Sequence, residues 1–173
     1  SDFLKIVKYP LAAPSGNIST KLSPTYANDL VDEFKNKIKF ILDGGRCKIG
    51  LESTIVDLTN KCTILRQGAI SSQDISKVLK TKISIKRKVK SIKSPGQLKF
   101  HYSPGIPVYM NKTKAKKGGA LITFGKSFKS AKNHFNLSKS YNLIIAAANL
   151  YKIMREIKNK NYKSICVCRI PNI

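Results

Sequence analysis

The sequence predicts a mixed α/β protein built in two units. Three observations carry that expectation. Short runs rich in β-branched residues, "STIVDLT" and "CTILRQG", sit among stretches whose apolar residues recur at helical spacing. A segment with three prolines, two glycines and no acidic residue, "KRKVKSIKSPGQLKFHYSPGIP", divides the chain. Beyond it the alternation of strand and helix resumes. At 173 residues and 42% hydrophobic content, the chain can hold one full domain or two small ones with ordinary cores.

Taken in order, "FLKIVKY" is too short to classify and fits the end of a helix or of a strand. "PLAAPSGN", with two prolines, cannot be a helix interior. In "SPTYANDLVDEFKNKI", Ser23 is placed as an N-cap and Pro24 at the first helical position, with Ala27, Leu30, Val31 and Phe34 at helical spacing. A helix from about Pro24 to Asn36 is expected. "KFILDGG" reads as a strand stopped by a glycine pair, "STIVDLT" and "CTILRQG" as strands, and "SSQDISKVLK" as a short capped helix. After the divider, "GGALITF" reads as a strand, and "YNLIIAAANLYKIMREIKNK" as a helix with Ala146, Leu150, Ile153 and Ile157 on one face. "KSICVCRI" reads as a final strand.

Lys and Arg number 33 against 9 Asp and Glu, a formal net charge of +24 that suits polyanionic partners such as nucleic acid or nucleotide phosphates. The excess is mostly lysine, and compositional bias on solvated faces accounts for it at least as well. No apolar run approaches the roughly 20 residues of a membrane span, since Asn149 interrupts the longest one. No membrane association is expected. The four cysteines lack CxxC spacing, and His101 and His134 lie far from them in sequence, so no zinc site is expected. Cys166 and Cys168 share one face of a strand as small core residues, in keeping with a reducing, cytoplasmic location. The first residue is not methionine and no secretory pattern follows, as in a piece cut from a longer protein.

The chemistry gathers in small and hydroxyl-bearing residues. "PSGN" and "NISTKLSPT" offer Ser, Thr and Asn side chains and turn amides of the kind that hold phosphate or carboxylate. Gly16 permits close approach of backbone to a ligand, and Ser23 stands at an expected helix N-terminus, where unpaired amides favour an anion. A plain cap and a plain turn explain each feature separately. Ser53 and Thr54 open one expected strand and Arg66 closes the next, so pairing of the two would bring Ser53 and Arg66 to one end of a sheet. A plain hairpin with an exposed arginine is the competing explanation.

These segments carry a family resemblance. "PLAAPSGNISTKLSPT" resembles the PLAAPSAN-x-SG-x-x-SPT signature of the threonylcarbamoyl-AMP synthases; "GLESTIVDLT" and "ILRQGAI" are similar to its GxESTIVD and ILRPG segments; "SPGQLKFHYSP" resembles the SPG…HYxP linker of the two-domain members. Order and spacing agree from about Pro10 to Pro104.

The resemblance implies a YrdC-like (RibB-like) α/β catalytic domain with a twisted mixed sheet, here its C-terminal part over residues 1–88. A linker over 89–107 would fold across the site, and an incomplete Rossmann-like domain would occupy 108–173. It also implies an activity: L-threonine, bicarbonate and ATP condense to threonylcarbamoyl-AMP and pyrophosphate, and a tRNA-modifying threonylcarbamoyl transferase then uses the product. Position by position, Ser15, Asn17, Ser23, Arg66 and Tyr102 match nucleotide contacts, while Ala13 and Ser53 match threonine contacts. No residue is assigned a catalytic role, because a carbamate formed from the threonine amine and bicarbonate can attack the α-phosphorus once positioned and neutralised. Mg²⁺ would enter with the triphosphate, with no residue of this chain as its ligand and Asp57 structural.

Three positions depart from the signature: Gly16 for alanine, Thr20 for glycine and Gln67 for proline. The family's basic and phosphate-binding segments would lie upstream of Ser1, so a fragment with little activity by itself is expected. The alternative is an RNA-binding module of the same fold without synthase activity. For it the charge predicts weak, salt-dependent binding to double-stranded RNA.

Overall fold

The computed structural model describes residues 2–59, 61–85 and 102–171. The first unit contains helix α1 (Asp2–Ile6), helix α2 (Ala27–Phe34) continued by a 3-10 turn at Lys35–Lys37, strands β1 (Ile55–Asp57) and β2 (Thr63–Arg66), helix α3 (Ser72–Leu79) and strand β3 (Ser84–Ile85). The second contains β4 (Val108–Tyr109), β5 (Ala120–Thr123), β6 (His134–Asn136), α4 (Leu143–Asn159) and β7 (Ile165–Val167). In the first sheet, ordered β1-β2-β3, β1 runs antiparallel to β2 and β3 parallel to it. The second sheet, ordered β4-β7-β5-β6, is parallel throughout. The architecture is therefore α/β, with one small mixed sheet and one parallel sheet.

Most of the core lies in the second unit. All of β5 is buried, and α4 lays Ala146, Ile153 and Ile157 against it with Leu150 partly covered, so the 3.6-residue period matches the face that packs. Cys166 and Cys168 are both buried, and burial raises the Cys168 thiol above its usual range. In the first unit, Leu22, Ile64 and Ile83 are the buried apolar side chains among the described residues, while Phe40 is 90% and Leu42 73% exposed.

That imbalance explains one departure from expectation. Residues 39–45 form no strand, because no neighbour among the described residues offers a ladder or an apolar face for Phe40 and Leu42. Helix α2 is also shorter than expected. The backbone amides of Thr25 and Tyr26 donate to Asp29 Oδ2 at 2.7 and 3.2 Å, so the helix opens at Ala27 and Ser23 does not cap it. Helix α3 meets its expectation, with Ser71 Oγ accepting from the Asp74 amide at 3.1 Å. At Gly16 a Cβ would lie 2.8 Å from Leu30 Cδ2, so the missing side chain also makes room for α2.

The two units are docked through α4. Arg155 donates from Nη1 to Glu33 Oε2 at 3.0 Å and from Nη2 to the Leu22 carbonyl, while Arg46 Nη2 donates to the Ala148 carbonyl at 3.2 Å and to Asn149 Oδ1 at 2.6 Å. Gly50 lies under the same helix, where a Cβ would meet the Ala148 carbonyl oxygen at 2.8 Å. The described end of the divider is fastened to the first unit as well. Lys21 and Ser103 form a parallel bridge, and the Ser103 amide donates to the Thr20 carbonyl at 2.9 Å.

Thr20 holds this contact at φ 72°, in the left-handed region where a β-branched residue is strained. Thr20→Gly is expected to stabilise the chain by about 1 kcal/mol, relief of the strain outweighing glycine's greater backbone entropy. Denaturant melts check this, with a rise in midpoint at unchanged slope as the expected result.

Candidate active site

Strand pairing builds the centre of the site. β1 and β2 place Ile55 opposite Arg66, with a register shift between Ile55 and Val56, so the arginine side chain reaches back along the chain to Ser53. Arg66 Nε donates to the Ser53 carbonyl at 3.0 Å and Nη2 to Ser53 Oγ at 3.2 Å, while Nη1 donates to the Tyr102 hydroxyl oxygen at 3.0 Å. A guanidinium carries about five N–H donors, so roughly two remain for an anion beyond these protein contacts. Thr54 locks the approach: its hydroxyl donates to the Ile70 carbonyl at 2.7 Å and accepts from the Gly68 amide at 3.1 Å. The chain passes Gly68 so closely that a Cβ there would lie 2.3 Å from the Glu52 carbonyl oxygen.

Tyr102 reaches this cluster from the end of the divider, with φ 54°. Its ring stacks on that of Tyr151 in α4, with centroids 6.0 Å apart and an interplanar angle of 25°. Tyr151 is 7% exposed, and its hydroxyl donates to Glu52 Oε2 at 2.9 Å; Glu52 Oε1 accepts from the Ser23 hydroxyl. Both carboxylate oxygens are thus engaged.

Burial raises both phenols above the ordinary tyrosine value of 10.0, and the Glu52 carboxylate adds to the rise. At Tyr102 the Arg66 guanidinium opposes it. The folded chain therefore holds these two protons more tightly than the unfolded chain. The stability they contribute is complete below pH about 10 and is lost as the pH climbs from there through the folded values. Stability measured by denaturant between pH 9 and 12 is expected to fall less steeply in Tyr151→Phe than in the wild type; equal slopes would contradict this.

Among the seven residues singled out by resemblance, Ser53, Arg66 and Tyr102 are in direct contact, and Ser23 joins them through Glu52. Ala13 and Ser15 lie on an exposed stretch without regular structure, and among the described residues no hydrogen bond ties them to the cluster. Asn17 closes its own turn, its amide donating to the carbonyls of Ile18 and Lys21 at 3.1 and 3.0 Å, while its buried Oδ1 has no partner among the described residues. Sequence reasoning missed Glu52 and Tyr151. Glu52 sat unassigned inside the "GLESTIVD" motif, and Tyr151 looks like any core aromatic of an amphipathic helix.

Residues 89–101 of the expected linker lie outside the described residues. Among the described residues no three of His, Cys, Asp or Glu cluster in a way that could hold a metal ion, and Glu52 is committed to its two hydroxyl donors. These residues do not fit a protein-held Mg²⁺. Asp57 accepts from Thr59 N and Oγ1 at 3.0 and 2.6 Å, stabilising a turn. No described helix is long and apolar enough to cross a membrane.

Comparison with known proteins places this geometry in a family. Residues 1–68 match the Sua5–YciO–YrdC family, described as "Telomere recombination", and residues 70–173 match "Threonylcarbamoyl-AMP synthase, C-terminal domain". The threonylcarbamoyl-AMP synthase of Pyrococcus abyssi is 40% identical over 111 residues, covering 61% of this chain and 32% of that protein. The Schizosaccharomyces pombe protein of the same name is 38% identical over 117 residues, covering 62% of this chain and 29% of that protein. The crystal structure of P. abyssi Sua5 complexed with L-threonine superposes with a TM-score of 0.78 at 30% identity, over 92% of this chain and 52% of that one. The chain thus spans about half of the solved relative and about a third of the curated relatives it matches. With its C-terminal match alone covering more than half of the sequence, the chain belongs to the threonylcarbamoyl-AMP synthase family.

Proposed function

We propose that the chain supplies the ligand-holding part of a threonylcarbamoyl-AMP synthase, which condenses L-threonine, bicarbonate and ATP to threonylcarbamoyl-AMP and pyrophosphate. The observation that carries this reading is the Arg66 guanidinium, held on Ser53 and Tyr102 with N–H donors to spare. In this reading Arg66 and Tyr102 bind the nucleotide, Ser53 and the backbone at Ala13 hold the threonine, and Ser15, Asn17 and Ser23 complete the nucleotide site. The Ser23 hydroxyl donates its hydrogen bond to Glu52, so toward a ligand its oxygen acts as an acceptor. Asn17 Oδ1, without a partner among the described residues, is a second acceptor in search of a donor.

The chemistry this set performs is positioning. A carbamate oxygen must be lined up with the α-phosphorus, and the charge gathering on the phosphoryl oxygens must be offset. Mg²⁺ arrives on the triphosphate as part of the substrate. A tRNA-modifying threonylcarbamoyl transferase consumes the product, in the cytoplasm. The catalytic part extends over 1–88, the linker over 89–107 and the second domain over 108–173.

The test is a direct competition of readings. The chain is expected to bind L-threonine and a non-hydrolysable ATP analogue, each measured by calorimetry. The net charge of +24 favours a second reading, an RNA-binding module. Salt-dependent capture of double-stranded RNA by a folded chain that ignores both small ligands would establish that reading and overturn the synthase.

A further inference from the structure

The candidate site is not held by its own sheet alone. Six hydroxyl, carboxylate and guanidinium groups form a continuous path across the two units: Ser23 to Glu52, Glu52 to Tyr151, Tyr151 stacked on Tyr102, Tyr102 to Arg66, and Arg66 to Ser53. Tyr151 is the member contributed by the second unit, and 99 residues separate it from Glu52. Glu52 is covalently next to Ser53, so a carboxylate pinned at both oxygens restrains the backbone from which Ser53 projects. Tyr102 occupies the left-handed region, which a bulky residue adopts only where surrounding contacts impose it. Two of the contacts that meet it here are the ring of Tyr151 and the Arg66 guanidinium.

We propose that Tyr151 and Glu52 are positioning residues of this site: the Tyr151 hydroxyl on the Glu52 carboxylate is a latch through which α4 sets the orientation of Ser53, Arg66 and Tyr102. This rests on the assignment of the site to nucleotide and threonine. The latch is an interdomain device, since docking of the second unit then changes ligand affinity. By linkage, ligand binding tightens that docking to the same degree. Its acceptor is a carboxylate, which makes the hydrogen bond stronger than one between neutral groups. Arg155 and Arg46 also dock α4, but neither is among the groups linking Tyr151 to Arg66, so the latch is separable from docking as such.

Tyr151→Phe tests this most cleanly, because it keeps the stacked ring and removes only the hydroxyl. In the full chain it is expected to weaken binding of L-threonine and of a non-hydrolysable ATP analogue roughly tenfold, the scale of one charged hydrogen bond. The rise in melting temperature that the two ligands give the wild type is expected to shrink in step. Glu52→Gln, which neutralises the acceptor, is expected to have a similar effect, and the double variant to bind no worse than the weaker single one, as members of one path do. A purely structural Tyr151 would lower the melting temperature and leave both affinities intact, and that result overturns the proposal. Full affinity in a folded Glu52→Gln chain overturns it too, should Tyr151→Phe fail to fold. If the folded wild type binds neither ligand, the reading of this site as nucleotide- and threonine-holding falls and the latch with it. Binding by the wild type with unchanged variants removes the latch alone.

Discussion

Gly68→Ala is expected to abolish ligand binding and to destabilise the chain by about 3 kcal/mol, the upper end of what overpacking costs. The added methyl would sit 2.3 Å from the Glu52 carbonyl oxygen, 2.4 Å from the Thr54 nitrogen and 2.5 Å from the Ser53 carbonyl carbon. All three are backbone atoms, so no side-chain rotation relieves the contact. The segment carrying Ser53 must move away from the end of β2, which pulls Ser53 off Arg66 and Glu52 off Tyr151. A melt and a titration on the same sample check both halves. A folded alanine variant that binds as the wild type does would mean that the close passage at Gly68 is not needed for the site.

Arg155→Ala is expected to be at least as damaging, through docking instead of the site itself. Its guanidinium is 17% exposed, its partner Glu33 only 5%, and its second donor satisfies the Leu22 carbonyl. Truncating Arg155 leaves the buried Glu33 carboxylate with only the half-exposed Lys21, whose Nζ is 3.8 Å from Oε1, as counter-charge, which costs about 3 kcal/mol, the lower end of the range for a broken buried pair. Arg155→Ala combined with Glu33→Ala is expected to recover part of the loss, since the stranded charge is then gone. Urea unfolding of the two variants checks the prediction. A double variant less stable than Arg155→Ala would contradict it.

These two residues also mark what the sequence made legible and what it did not. Helix α4 was readable because its apolar spacing matches the face that packs on β5. Cys166 and Cys168 are buried as expected, but Ile165 and Val167 are buried too, so β7 is covered on both faces and alternation does not single the cysteines out. The β1–β2 pair was readable from its β-branched runs, but those runs fit a plain hairpin with an exposed arginine at least as well, and the contact of Arg66 with Ser53 is seen only in the structure. Residues 39–45 misled because β-branched and apolar content makes a strand only where a neighbour pairs with it. Ser23 misled because a serine hydroxyl has more than one use: the cap it was expected to make is made by Asp29, and the hydroxyl donates a hydrogen bond to Glu52 instead. Gly16 resembled a ligand-approach glycine, and its packing against Leu30 is a second use that the sequence does not reveal. The Tyr151–Glu52 and Arg155–Leu22 contacts join residues 99 and 133 positions apart, a separation at which no local pattern carries information.

The most direct measurement is a pair of calorimetric titrations, L-threonine and a non-hydrolysable ATP analogue, on the wild type, Arg66→Ala and Ser53→Ala. The account predicts that loss of the guanidinium weakens the nucleotide roughly a hundredfold, as expected when a charged hydrogen-bond donor is removed from an anion, and that loss of the Ser53 hydroxyl weakens threonine selectively. Nucleotide and threonine affinities that stay unchanged in both folded variants would contradict it, and the ligands would have to be sought away from the junction of β1 and β2.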